Sequence, residues 1–146
     1  MPGSPGIPGA CNADPNASLA YVRASLKTLG LTQLDLVLIH SSCANYDPPV
    51  TDPVASDNAL WQGLMTAKSL KLTRAIGVSN FNVEQLAAIT SQARIQPVVN
   101  QIEAHPFLQQ KALVDAFAKA NVIITAYSPL GNPGRSGDRK NLPEDE

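Results

Sequence analysis

The segment Leu34-Asp-Leu-Val-Leu-Ile-His40 is a short run of mostly branched apolar residues that ends on a histidine. A run of this length and composition predicts a buried strand of a parallel sheet rather than a helix. A helical pattern precedes it, and we expect Asn16 to cap that helix and Gly30 to end it. The apolar residues of the helix recur at helical spacing, at Leu19, Val22, Leu26 and Leu29. The sequence therefore predicts a helix followed by a buried strand.

The alternation of helix and strand continues along the chain. Residues 41–57 hold three prolines and predict a long loop, which is followed by a helix ending near Leu70. Further strands are predicted at 74–78, 97–101 and 122–126, and Asn82 with Gln85 is typical of a capping box before the third helix. The fourth helix is predicted from about Gln109 to Ala120. This order predicts an α/β fold with a parallel sheet and right-handed crossovers.

Two architectures are compatible with this order of elements, a doubly wound open sheet and part of a closed barrel. No GxGxxG sequence follows any of the predicted strands, which removes the main argument for an open sheet that binds a dinucleotide. Hydrophobic periodicity alone does not separate the two architectures further.

Length and charge exclude several classes of protein. The chain has 146 residues, 44% of them hydrophobic, and a formal net charge of -1 from 11 Lys+Arg and 12 Asp+Glu. Such a chain can bury the core of one domain, and its near-neutral charge argues against a dedicated nucleic-acid or acidic-lipid binder. We expect a flexible Pro/Gly-rich lead-in over residues 1–16, one domain over 17–131, and a polar tail over 132–146.

Neither a membrane segment nor a metal site is predicted. No apolar run approaches the roughly 20 residues needed to span a bilayer, and the N-terminus has no features of a secretory signal, so we expect a soluble, cytoplasmic protein. Cys11 and Cys43 lie in segments of unlike character and are predicted to be free thiols. His40 and His105 are far apart, and no cluster has metal-ligand spacing.

Hydrogen-bonding side chains follow each of the four predicted strands. Because the carboxyl ends of parallel strands meet at one edge of the sheet, where ligands bind in both architectures, we expect these residues to lie together. They are His40 after the first strand, Ser79 and Asn80 after the second, Gln101 at the third, and Tyr127 and Ser128 after the fourth.

Each of these residues also has an ordinary structural interpretation. His40 could be a core histidine that caps its strand, and Ser79 and Asn80 could cap the following helix. Gln101 could hydrogen-bond a neighbouring loop, and Tyr127 could be an aromatic residue at the rim of a barrel. The concentration of all of them at one edge favours a binding site over four separate structural roles.

Five segments, spread between Leu19 and Gly131, together resemble the aldo-keto reductase family. They are residues 25–31 with 34–40, Ile76-Gly-Val-Ser-Asn-Phe-Asn82, Pro97-Val-Val-Asn-Gln-Ile-Glu-Ala-His-Pro106, and Ala126-Tyr-Ser-Pro-Leu-Gly131. The resemblance implies a (β/α)₈ barrel that reduces aldehydes and ketones with NADPH. It thereby favours the barrel over the open sheet.

The resemblance also implies roles for individual residues. His40 matches the family's histidine that orients and polarises the substrate carbonyl. Ser79, Asn80 and Gln101 match residues that hydrogen-bond the nicotinamide carboxamide, and Tyr127 matches the aromatic residue that stacks on the nicotinamide ring. Two further positions match the loop along the cofactor pyrophosphate, namely Ser128 and Leu130. Glu103 and His105 are assigned to loop structure.

The chain lacks several features of the family. No residues match the proton-donating Tyr or the Lys and Asp that tune it, and Ser41-Ser42 replaces the usual Trp-Pro after the histidine. We therefore expect a partial (β/α)₈ barrel of about four βα units, corresponding to strands 4–7. One hypothesis is a fragment of an NADP-dependent reductase that is inactive alone and acts on a small-molecule carbonyl or alcohol. The other is a catalytically inactive half-barrel, and in either case self-association through the open sheet edges is expected.

Overall fold

The computed structural model describes residues 11–46, 50–91 and 93–131. Four helices alternate with four strands over this part of the chain, and a short 3₁₀ turn, Cys43–Asn45, follows the first strand. The elements in chain order are α1 (Pro15–Leu29), β1 (Leu34–Ile39), α2 (Pro53–Ser69), β2 (Thr73–Ser79), α3 (Val83–Thr90), β3 (Val99–Glu103), α4 (Lys111–Lys119) and β4 (Ile123–Tyr127). The predicted order of helices and strands is confirmed.

The four strands form one parallel sheet in the order β1-β2-β3-β4. Each strand therefore pairs with the next one along the chain. Because crossovers between parallel strands are right-handed, a sequential order places all connecting helices on the same face of the sheet. A doubly wound sheet reverses its strand order and has helices on both faces, so this topology is that of a barrel segment.

The core lies between the helices and one face of the sheet. Ile76 and Val78 of β2 are fully buried on this outer face, and Trp61 of α2 and Phe117 of α4 pack in the same cluster. Residues of the opposite, inner face are more exposed, and Ile123 of β4 keeps 65% of its accessible surface. In a barrel, the inner face of each strand packs against the strands across the barrel axis.

Local capping explains where the first two helices begin. Asp14 is the N-cap of α1, accepts a hydrogen bond from the Asn16 amide, and is followed by Pro15 in the first turn. The prediction of Asn16 as the cap is therefore wrong by two residues. The helix α2 begins in the same way, with Asp52 as its cap and Pro53 after it. The predicted loop over residues 41–57 consequently ends earlier, because a proline there opens a helix.

The prediction of two free thiols is wrong. Cys11 and Cys43 form a disulfide with a Cα–Cα distance of 5.7 Å. Cys43 is fully buried in the core cluster, and Cys11 packs against that cluster from the segment that precedes α1. The bond thus ties the start of the described chain to the turn that follows β1.

The remaining boundaries differ by a few residues from the predicted ones. The strand β3 begins at Val99, two residues after the predicted start, and α4 begins at Lys111. Most of the predicted lead-in, residues 1–10, and all of the predicted tail, residues 132–146, lie outside the described residues. Across the described ranges, no helix is both long enough and apolar enough to cross a membrane.

Candidate active site

Three of the predicted site residues, Ser79, Gln101 and Tyr127, lie on one face of the sheet at its carboxyl edge. Ser79 of β2 pairs with Gln101 of β3, and Gln101 pairs in turn with Thr125 of β4. Side chains alternate between faces along a strand, so Tyr127 shares the face of Thr125. This is the inner face, and His40 follows directly after β1 at the same edge.

Asn80 connects the strand ends to one another. Its Nδ2 donates to the His40 carbonyl at 2.9 Å and to Ser79 Oγ at 3.1 Å, while its Oδ1 accepts from Tyr127 Oη at 2.9 Å. Its backbone is left-handed, with φ 57°, a conformation that asparagine tolerates better than most residues. Asn80 therefore links the ends of β1, β2 and β4, and the N-cap of α3 is Asn82 instead.

The third strand is joined to this edge through its backbone. The Gln101 carbonyl accepts from Ser79 Oγ at 2.7 Å and from the Asn80 amide at 2.9 Å. In the described part of the chain, the side-chain amide of Gln101 has no hydrogen-bond partner. Gln101 thus presents one acceptor and two donors on the half-buried inner face.

The imidazole of His40 is exposed and borders a cavity of about 280 Å³ between α1, β1 and α2. Tyr21 and Tyr46 contribute the phenol groups of its lining, and Leu38 contributes apolar surface. The interpretation of His40 as a buried core histidine is therefore wrong for this structure. The exposed imidazole is therefore accessible at the carboxyl edge of the sheet.

A buried carboxylate holds the turn that follows His40. Asp57 of α2 is 3% exposed, and it accepts hydrogen bonds from Ser42 Oγ at 2.6 Å and from the Cys43 amide at 2.8 Å. Burial raises the pKa of Asp57 above its ordinary value, although both hydrogen bonds act in the opposite direction. Burial likewise raises the pKa of Tyr46, and the negative charge of Asp57 adds to that effect.

Asn45 links this turn to the strand-end residues through hydrogen bonds. Its Nδ2 donates to the Asn80 carbonyl at 3.2 Å and to Ser41 Oγ at 3.0 Å, and its Oδ1 accepts from Gln85 at 3.2 Å. Neither Asn45 nor Asp57 was predicted as a site residue. No periodic or motif signal marks them, because both act through irregular loop geometry.

The other predicted positions lie at the margin of this edge. The Ser128 carbonyl accepts from the Gly131 amide at 2.8 Å, forming a tight turn in which Leu130 is exposed. His105 is buried, and its Nε2 lies 3.9 Å from Glu103 Oε1. No group of three or more His, Cys, Asp or Glu side chains in the described ranges could hold a metal ion.

The sequence profile of the aldo/keto reductase family matches residues 12–145. The chain belongs to this family. It is 43% identical over 135 residues to an aldo/keto reductase of Synechocystis sp., covering 86% of this chain and 40% of the relative. It is also 36% identical to an NAD(P)H-dependent 6'-deoxychalcone synthase of Glycine max, covering 90% of this chain and 44% of the relative.

Solved aldo-keto reductases share the fold. A Bombyx mori aldo-keto reductase in complex with NADP superposes with a TM-score of 0.73 at 34% identity, over 88% of this chain and 42% of that one. An aldo-keto reductase from a deep-sea metagenome library gives a TM-score of 0.74 at 33% identity, over 92% of this chain and 44% of that one. The prediction of a partial aldo-keto reductase barrel is confirmed, and the chain spans about two-fifths of the length of these relatives.

Proposed function

We propose that this aldo-keto reductase chain forms the nicotinamide-binding edge of an NADP-dependent oxidoreductase that reduces an aldehyde or ketone to an alcohol. The observation that carries the proposal is the cluster at the sheet edge, where Asn80 joins three strand ends beside the side-chain amide of Gln101, which has no partner among the described residues. Solved relatives that superpose on this chain were obtained in complex with NADP or NADPH, which supports the choice of cofactor.

The geometry fits a carboxamide. A nicotinamide carboxamide offers one acceptor and two donors, and the side-chain amide of Gln101 offers the complementary set. Asn80 uses both amide hydrogens on His40 and Ser79, and its Oδ1, which accepts from Tyr127, keeps a second lone pair for the carboxamide. Ser79 Oγ already donates to the Gln101 carbonyl and accepts from Asn80 Nδ2, so one lone pair of this oxygen is left for the ligand. Gln101 is therefore the main donor to the carboxamide in this proposal.

Tyr127 would support the nicotinamide ring. Its hydroxyl donates to Asn80 Oδ1, which fixes the phenol ring beside the proposed carboxamide site. A ring held in this way can stack on a flat heterocycle and leave its other face open, as stereospecific hydride transfer requires. We assign Ser128 and Leu130, in the turn after β4, to the path of the cofactor pyrophosphate.

His40 would orient the substrate. When bound, the cofactor supplies the hydride, and the exposed imidazole at the end of β1 can donate to the carbonyl oxygen that receives it. The family's proton-donating tyrosine has no match in these 146 residues. We therefore expect this chain alone to bind the cofactor without turning over a carbonyl substrate, because the new alkoxide lacks its general acid.

A fluorescence titration with NADPH tests the proposal. We expect saturable quenching by the chain, and Gln101→Leu should weaken NADPH binding by about threefold to tenfold, since each net hydrogen bond contributes about 0.5–1.5 kcal/mol. Gln62→Ala, at an exposed position on α2, is the matched control and should leave the affinity unchanged. The absence of saturable binding would contradict the proposal, as would equal effects of the two variants.

The activity of the whole protein needs a second experiment. The reading frame upstream of the Met1 codon can be translated and searched for strands that carry Asp, Tyr and Lys. We expect a protein that includes such strands to oxidise NADPH in the presence of an aldehyde. His40→Ala should lower the rate of this NADPH oxidation. Activity unchanged by His40→Ala would contradict the role assigned to His40.

The second candidate function is an interaction module without catalysis. It is favoured by the outer edges of β1 and β4, which pair with no strand among the described residues, and by exposed apolar side chains on the inner face, including Leu36 and Ile123. We expect such a chain to be unstable alone or to self-associate, because open edges of a sheet pair with other strands. A soluble monomer with a sharp unfolding transition, measured by size-exclusion chromatography and thermal melting, would contradict this expectation.

A further inference from the structure

The Cys11–Cys43 disulfide lies directly beside the strand-end cluster. Cys43 begins the 3₁₀ turn that follows His40, and Asn45 at the end of this turn donates to the Asn80 carbonyl. A constraint on the turn is therefore transmitted to Asn80 through a single hydrogen-bonded residue. Neither cysteine is used in the proposed chemistry of the site.

The turn is fixed at two points. The disulfide joins it to the segment before α1, and Asp57 accepts hydrogen bonds from Ser42 and Cys43 on the other side. With both anchors in place, Asn45 is positioned between Asn80 and Gln85. Removal of one anchor leaves the other, so the turn gains mobility without losing its place in the fold.

The disulfide is also placed where its opening need not unfold the helices. Cys11 precedes the helix cap Asp14, which holds the start of α1 through its own hydrogen bond to Asn16. The helices α1 and α2 pack against each other through core residues such as Val22 and Leu60. Cys11 is only partly buried, whereas Cys43 is fully buried, so Cys11 is the more accessible half of the disulfide.

We propose that the Cys11–Cys43 disulfide is a thiol–disulfide switch that sets the order of the turn after His40 and, through Asn45, the affinity of the Asn80 edge for NADPH. The closed state holds the edge in its binding geometry. The open state releases the turn from the segment before α1 and weakens binding. The part of this inference that concerns NADPH rests on the proposed function.

Opening the switch requires a dithiol reductant. Its thiolate attacks Cys11 Sγ, the S–S bond breaks, and Cys43 leaves as a thiolate that takes up a proton. The second thiol of the reductant then displaces Cys11, so that two protein thiols and one oxidised reductant result. In the cytoplasm, where we predict this protein to act, disulfides are rare and those present are commonly redox-sensing.

The test compares the oxidised chain, the chain reduced with dithiothreitol, and Cys11→Ser. Peptide mapping by mass spectrometry should find the Cys11–Cys43 bond only in the first sample. Amide hydrogen exchange over residues 43–46 and at Asn80 should be faster in the other two, while helical circular dichroism stays the same. The NADPH dissociation constant should rise by about threefold to tenfold on reduction, and the Cys11→Ser value should not respond to dithiothreitol.

Leu113→Ala, a partly buried position on α4, serves as a control for general destabilisation. It should lower the melting temperature without changing exchange in the turn. Unchanged exchange on reduction, loss of the fold on reduction, or free thiols in the oxidised sample would each overturn the proposal. Absence of NADPH binding in every sample would contradict the proposed function, and the exchange data would still decide whether the turn responds to the disulfide.

Discussion

Replacing Asn80 with alanine should separate the backbone strain at this residue from the hydrogen bonds of its side chain. Asn80 has φ 57°, and its amide joins His40, Ser79 and Tyr127. Alanine removes all three hydrogen bonds and places a Cβ in the left-handed region without a polar group to compensate. Glycine removes the same hydrogen bonds but adopts this conformation freely.

The expected magnitudes follow from these contacts. Three hydrogen bonds at about 0.5–1.5 kcal/mol each give a loss of about 1.5–4.5 kcal/mol, with the lower part favoured because the site is partly exposed. The left-handed backbone destabilises the alanine variant relative to the glycine variant by about 1–2 kcal/mol. The greater freedom of glycine in the unfolded chain destabilises the glycine variant by about 0.4–1 kcal/mol and so offsets part of this difference. Asn80→Ala should therefore be less stable than Asn80→Gly by about 0.5–1 kcal/mol, and both less stable than the parent.

Urea unfolding can be followed through Trp61, the single tryptophan of the chain, which is 1% exposed. Tyr127→Phe is the matched control, since it removes the hydroxyl that donates to Asn80 Oδ1 and keeps the Asn80 side chain, and it should cost about 0.5–1.5 kcal/mol. The reasoning would be refuted if Asn80→Gly were less stable than Asn80→Ala. A parent-like stability of Asn80→Ala would refute it as well.

Two further substitutions test the packing of α2. Gly63→Ala should destabilise the chain by about 1–2 kcal/mol in urea unfolding, because a Cβ at this position collides with Ser18 Oγ and the Pro15 carbonyl of α1. Overpacking costs about 1–3 kcal/mol, which outweighs the gain in helix propensity of about 1 kcal/mol. A Gly63→Ala variant more stable than the parent would contradict the close approach of the two helices. Asp57→Asn should remove a pH dependence of the folding stability. The pKa of Asp57 is raised above 3.8 in the folded chain, so the folded state binds this proton more tightly than the unfolded state. The parent should therefore lose stability relative to Asp57→Asn as the pH rises from 3.8 through the raised pKa. A stability difference that is constant with pH would contradict this assignment.

Local signals in the sequence predicted most of the fold. The apolar run at residues 34–39 is a strand with the expected bounds, Gly30 ends α1 in the left-handed conformation, and Asn82 with Gln85 forms a capping box. Such features depend on neighbours within a few residues and are readable without the tertiary structure. The predicted loop wrongly includes Pro53, because proline disrupts a helix interior yet suits its first turn, and only the cap at Asp52 distinguishes the two.

The disulfide and the links within the site depend on distances that the sequence does not contain. Cys11 and Cys43 are 32 residues apart, and their pairing depends on how the fold brings the segment before α1 to the turn after β1. Asn45 contacts Asn80 because a 3₁₀ turn aims it across the edge of the sheet. The strand-end residues could be placed at one edge because the carboxyl ends of parallel strands meet there, a rule that holds for any sequence with this alternation.

Stability and binding at this edge draw on partly different atoms, which makes them separable by mutation. Asn80 donates its two amide hydrogens to His40 and Ser79. Removal of the Asn80 side chain should therefore lower both the folding stability and the affinity for the carboxamide of the cofactor. Gln101 contributes to the fold through its backbone carbonyl and keeps its side-chain amide for a ligand. Because these two roles of Gln101 use separate groups, Gln101→Leu should reduce NADPH affinity while the urea midpoint stays near that of the parent. A matched loss of both in this variant would mean that its side chain supports the sheet edge, and the carboxamide would then need another donor.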